Sequence, residues 1–179
     1  MPTACYLAED AGPIALVYCS TDEAHEHRKV PVTTAQRHDF VDVGPTLPPC
    51  VVCGAPMETR IWSNGFLQDG ELVTTNGLKP GGVYWVPCWR GKDGTLPCAY
   101  WDNCDGKHLH VVLPNGHKWS IDSRASNCTL PNDRTHRCWV RTGAPPNVTV
   151  GKNGHTCNAG AGSILSGDYH GFLRDGVLT

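Results

Sequence analysis

Cys50-Val51-Val52-Cys53-Gly54 limits what this chain can fold into more than any other stretch. Two thiols set two residues apart can both point at one metal ion, and the glycine lets the backbone turn sharply beneath them. Such a pair is half of a tetrahedral site, so the other donors must come from elsewhere. The chain has the supply: ten cysteines and nine histidines in 179 residues.

That supply suits either a secreted disulfide scaffold or a reduced, metal-binding protein. Met1-Pro2-Thr3-Ala4-Cys5 has neither a basic n-region nor an apolar h-region. With the CxxC pair and the histidine excess, this favours zinc as cofactor and a cytoplasmic location. No apolar run approaches the ~20 residues of a spanning helix, so no membrane partner is expected. The formal charge of −2 means that no overall basic field steers the chain to nucleic acid.

Twenty glycines and fourteen prolines, with only 18% charged residues, favour short strands and many turns. The expected class is mainly β, with few short helices, in three segments. Residues 1–63 read as a zinc-ribbon-like unit, in which strands bring two ligand-bearing turns together. Ile14 to Cys19 is a strand ending in a thiol, Thr21 can cap a short helix, and His38 to Val43 reads as a strand. Residues 64–97 are connecting hairpins rich in turn dipeptides such as Asn64-Gly65 and Asp69-Gly70. Residues 98–179 read as an antiparallel β-domain. Its firmest element is the hairpin Leu109–Leu113, Pro114-Asn115-Gly116, His117–Ile121, which turns Leu109, Val111 and Leu113 to one face.

The first candidate site joins Cys50 and Cys53 to Cys19 and one of His25 or His27, with Cys5 as an alternative to Cys19. A second draws on Cys98, Cys104, Cys128, Cys138, Cys157, His108 and His170. His110, His117, His136 and His155 read as ordinary hydrogen-bonded histidines. Some of the thiols are expected to be small core residues.

Residues 98–179 also carry a composite pattern. It runs through Cys98-Ala99-Tyr100-Trp101-Asp102-Asn103-Cys104, Asp122 to Cys128 and Cys138-Trp139-Val140-Arg141. It closes with Ala159 to Ile164 and Tyr169-His170-Gly171-Phe172-Leu173. This text resembles a family of hypothetical proteins from actinobacteria and their phages, similar to a small zinc-binding domain of unknown function. The resemblance implies a β-fold, a metal and a phage setting, but no reaction. It favours Cys157 and His170 with Cys98 and Cys104 as the second ligand set.

Catalytic signatures are missing. Nucleic-acid deaminases combine H-x-E with P-C-x-x-C. Here Pro49-Cys50-Val51-Val52-Cys53 follows His25-Glu26-His27, with the glutamate one residue too close to His25 and Lys29 two residues after His27. No H-E-x-x-H, G-x-S-x-G, P-loop or dinucleotide fingerprint occurs. Asp122-Ser123-Arg124 with His117 or His108 fits a turn after a strand better than a catalytic cluster. The expected function is therefore a phage-type binding or assembly module for protein or nucleic acid. The alternatives are a zinc- or thiol-dependent enzyme with an open metal site, and a minor virion protein.

Overall fold

The computed structural model describes residues 1–87, 107–122, 124–133, 136–152, 157–158 and 162–179. Cys98, Cys104 and His155 lie outside them. The first strands are β1 (Thr3–Ala4), β2 (Tyr6–Leu7), β3 (Glu9–Cys19) and β4 (His27–Pro31), then helix α1 (Thr34–Asp39), β5 (Met57–Gln68) and β6 (Glu71–Thr74). There follow β7 (Gly82–Pro87), β8 (Lys107–Val112), β9 (Lys118–Ser120), β10 (Trp139–Thr142) and β11 (Thr149–Lys152). The last are β12 (Ile164–Ser166), β13 (Tyr169–Gly171), β14 (Leu173–Arg174) and β15 (Val177–Leu178). The chain is mainly β, as its turn-rich composition predicts. No described helix is long and apolar enough to cross a membrane.

The chain forms two compact units. One, the knuckle unit, holds Glu9–Leu78; the larger holds Met1–Ala8 and the described residues from Lys79 onward. These limits differ from 1–63, 64–97 and 98–179, because β5 runs unbroken through residue 64 and returns through β6.

In the knuckle unit the strand order is β4-β3-β5-β6, antiparallel throughout. Alternation along β3 turns Ala15, Val17 and Cys19 to one face, where they pack with Val43, Cys50 and Met57. Ala11 and Arg60 are extra residues at two bulges in the β3–β5 ladder. Two local expectations are corrected. The segment 20–26 is a turn, in which Asp22 Oδ1 accepts the Ala24 N–H at 2.9 Å. The helix forms later, over residues 34–39, because Thr33 and Gln36 make a reciprocal capping box. Thr33 Oγ1 accepts the Gln36 N–H at 3.1 Å, and Gln36 Oε1 accepts the Thr33 N–H at 2.8 Å. That box draws in residues that read as a strand from 38 onward.

The larger unit contains the sheet β2-β7-β8-β9, the sheet β1-β15-β14 and the hairpins β10–β11 and β12–β13. The β8–β9 hairpin closes through Leu113 N–H to His117 O at 2.8 Å. Leu109, Val111 and Leu113 enter a core with Val83, Ile121, Val148, Ile164, Leu173 and Leu178. Burying each such side chain contributes about 1.5–3 kcal/mol. Asp122 is consumed by structure: Oδ2 accepts the Leu109 N–H at 2.8 Å and lies 3.1 Å from Arg141 Nη1.

Candidate metal centres

Among the described residues two groups of four donors emerge. Cys19, His25, Cys50 and Cys53 form the first, and Cys128, His136, Cys138 and Cys157 the second. Within each group one ligand atom per residue lies within 4.8 Å of all the others. Cys5, Cys19, Cys50, Cys53, Cys128, Cys138 and Cys157 are all thiols.

The first group is built by the end of β3 and the knuckle before β5. Cys19 points inward by strand alternation, and its N–H donates to Glu26 O at 3.0 Å as β4 begins. His25 sits in the intervening turn, held by its N–H to Asp22 O at 3.1 Å. The Cys50 N–H donates to Ala55 O at 2.9 Å and the Gly54 N–H to Cys50 O at 2.8 Å. Gly54 takes φ +72°, the left-handed turn its place after the CxxC pair predicts. Cys19 Sγ and Cys53 Sγ stand 3.5 Å apart. His25 Nδ1 is buried without a hydrogen-bond partner, while Nε2 lies 3.7 Å from Asp22 Oδ2. His27 is exposed on β4, so of the two histidines His25 is the one brought in. Cys5 belongs to the larger unit, where burial pushes its thiol up to about 11.

Charge follows the geometry. The Asp22 N–H, helped by the Thr21 N–H, pulls the Cys19 thiol down to about 6 against its burial. The Ala55 N–H favours the Cys53 thiolate, but neighbouring Cys19 and Cys50 outweigh it and push Cys53 up. Among crowded thiols, one can ionise readily and the next only with a cation to share.

Around this group lies a clamp that sequence reading passed over. Glu26 Oε1 accepts from Arg28 Nε at 2.6 Å, and Arg28 Nη1 and Nη2 donate to Pro48 O at 3.0 Å and Pro49 O at 3.3 Å. The His25-Glu26-His27 triplet thus supplies a donor and a brace. Its only sequence signal was its failure as a deaminase motif.

The second group gathers three segments. Cys128 follows β9 in a loop, with its N–H on Ala125 O at 3.0 Å and its Sγ accepting the Leu130 N–H at 3.4 Å. His136 and Cys138 lie two residues apart in the irregular segment just before β10. Cys138 Sγ lies 3.6 Å from His136 Nε2 and 3.9 Å from Cys157 Sγ. Cys157 is brought up by two hydrogen bonds between loops: Asn158 N–H to Thr129 Oγ1 at 3.2 Å and Asn127 Nδ2 to Asn158 O at 3.0 Å. Burial pushes the Cys138 thiol up to about 12, and Cys128 and Cys157 beside it act the same way.

Of the second ligand set implied by resemblance, Cys157 joins this group, while His170 is exposed on β13 and stands apart from it. His136, read from sequence as an ordinary polar histidine, is a member and is buried. His-x-Cys entering a strand was the signal that would have found it. Of the Asp122-Ser123-Arg124 cluster, Ser123 lies outside the described residues, Asp122 is engaged by the Leu109 N–H and Arg141, and His117 lies 3.4 Å from Ser166 Oγ.

No family model, curated protein or solved structure matches this chain.

Proposed function

We propose that the chain is a binding or assembly module, each of whose units is held by one structural zinc ion. One observation carries this reading: each group supplies four protein donors, three sulfur and one nitrogen. Structural zinc takes four protein ligands, whereas catalytic zinc keeps a position open for water or substrate. A closed set leaves no place for a reacting molecule at the ion. This weighs against the open-site enzyme.

The spacing of the donors supports the same ion. With Zn–S near 2.3 Å and Zn–N near 2.05 Å, the edges of a tetrahedron are about 3.8 Å between sulfurs and about 3.6 Å from sulfur to nitrogen. Cys19 and Cys53 Sγ stand 3.5 Å apart, Cys138 and Cys157 Sγ 3.9 Å, and Cys138 Sγ and His136 Nε2 3.6 Å, with every donor of a group within 4.8 Å of the others. His25 adds a chemical fit, since its orphaned Nδ1 is available to a metal while Nε2 faces a carboxylate, the usual support of a ligating histidine. Thiolate-rich sets suit zinc over hard cations. Site formation of this kind supplies about 10–16 kcal/mol of coupled folding free energy, enough to hold small turn-rich units. The partner in this reading is a protein or nucleic acid, and the setting that of an actinobacterial or phage protein, in the host cytoplasm or in the particle.

Native mass spectrometry of the protein purified without chelator tests it. Two zinc ions per chain and fully reduced cysteines are expected. Cobalt substitution should give intense tetrahedral ligand-field bands and thiolate charge-transfer bands at both sites. A metal-free chain with cystine bridges, or a site with exchangeable water on the ion, would overturn it.

A further inference from the structure

The larger unit contains a cavity of about 480 Å³ that the metal centres do not use. Its walls come from β9 (Trp119), the loop before Cys128 (Arg124 and Asn127), β10 (Trp139) and the β12–β13 hairpin (Leu165 and His170). Its size falls in the range of small-ligand sites. Trp119 and Trp139 meet edge to face with centroids 5.5 Å apart, so Trp139 stands as a buried backstop to the half-buried Trp119. Leu165 and His170 are direct cross-strand neighbours at the rim. Both are exposed, Leu165 by 74%. Arg124 is fixed in place by donating to the carbonyls of Leu130 and Asp133. Among the described residues that line the cavity there is no carboxylate.

Charge is divided unevenly along the chain. Residues 9–78 hold ten Asp and Glu against four Lys and Arg, while the rest hold seven against eleven. The near-neutral total therefore conceals an acidic stretch and a basic remainder, and the cavity belongs to the basic one.

We propose that this cavity receives one unstacked base of a single-stranded nucleic acid. Sequence-tolerant binding of single strands needs aromatic surfaces for bases to stack on and positive charge for the backbone. Trp119 offers the first, and Arg124 within a basic unit the second. A duplex keeps its base faces stacked and cannot present one to the cavity. A neutral sugar would use the same indoles but gains most from carboxylates that accept its hydroxyl hydrogens, and none of the described lining residues carries one. The inference deepens the binding-module reading by naming the partner, and it does not depend on which ion the cysteines hold.

Fluorescence anisotropy of a labelled short oligothymidylate, titrated with the full metal-loaded chain, tests it. Binding is expected to favour the single strand over a duplex of equal length and to weaken from about 50 to about 200 mM salt. Trp119→Ala should weaken it roughly 5- to 100-fold, as the loss of one base stack predicts, and Trp119→Phe should restore most of it. Because Trp119 also packs on the core, a charge pair at exposed Leu165 gives an independent reading: Leu165→Glu should weaken binding about tenfold and Leu165→Lys should strengthen it. Equal affinity for the duplex, or no response to either Leu165 substitution, overturns the proposal. So does quenching of tryptophan emission by chitotriose with none by the oligonucleotide. Metal content is measured on the same samples, so a fully loaded chain that binds no oligonucleotide sinks this inference and leaves the metal reading standing.

Discussion

Glu26 accepts the backbone N–H of Val51 at 2.8 Å, so the carboxylate next to one donor, His25, grips the middle of the knuckle that carries two others. Arg28 completes the brace from the other side, and its guanidinium holds the Glu26 carboxyl below the usual carboxylate range. Groups that orient ligands in this way set metal affinity without touching the ion. Glu26→Ala is therefore expected to weaken zinc at the first centre roughly 10- to 100-fold in a chelator competition. The second centre, built from other segments, should be unchanged.

Removing one donor from the second group gives a counting test. Cys138→Ser should lower the zinc content from two ions per chain to one and release the loops around Cys128 and Cys157. Cys5→Ala is the control. Cys5 packs against the core of the larger unit and belongs to neither group, so this variant should keep both ions and lose about 1 kcal/mol. Metal analysis and denaturant melts of the two variants read both effects.

How much of this was legible depended on whether a signal was local. The Cys50–Cys53 pair and Gly54 announce a turn within five residues. The β8–β9 hairpin shows both alternation and Pro114-Asn115-Gly116, and Gly116 takes φ +81° as that turn requires. The second centre is different. Its donors at 128, 136, 138 and 157 share no compact spacing across the set, and hydrogen bonds between loops 127–129 and 157–158 bring Cys157 up beside Cys128. Helix α1 was misplaced because six residues are too few for a hydrophobic period, so the capping box had to be read by itself. The cavity at Trp119 was invisible because its walls come from separate strands and one loop.

The β12 strand offers a test of alternation as the source of the core. Ile164 is fully buried and Leu165, its neighbour, is 74% exposed. Ile164→Ala is expected to cost about 2–5 kcal/mol, since it removes transfer free energy and leaves a cavity. Leu165→Ala should stay within about 0.5 kcal/mol of the parent. Equal losses in the midpoint of chemical denaturation would mean that β12 faces the other way.

Acid should weaken the larger unit through His110. Its ring lies on β8, opposite Tyr84 of β7 at 5.5 Å between centroids and opposite Ser120 of β9. Burial pulls its pKa down from 6.5 to about 4, and the neighbouring His108 adds to this. Between those values the unfolded chain takes up a proton that the folded one refuses, so stability is full above pH 6.5 and drains away as pH falls toward 4. The loss amounts to roughly 3 kcal/mol at most. His110→Phe fills similar space without a titrating group, and its stability should decline less over that range. Acid also protonates the thiolates and releases metal, but that loss is common to both proteins. The difference between their denaturation midpoints against pH isolates the histidine, and a constant difference from pH 7 to 4 would show that His110 charges freely in the folded state.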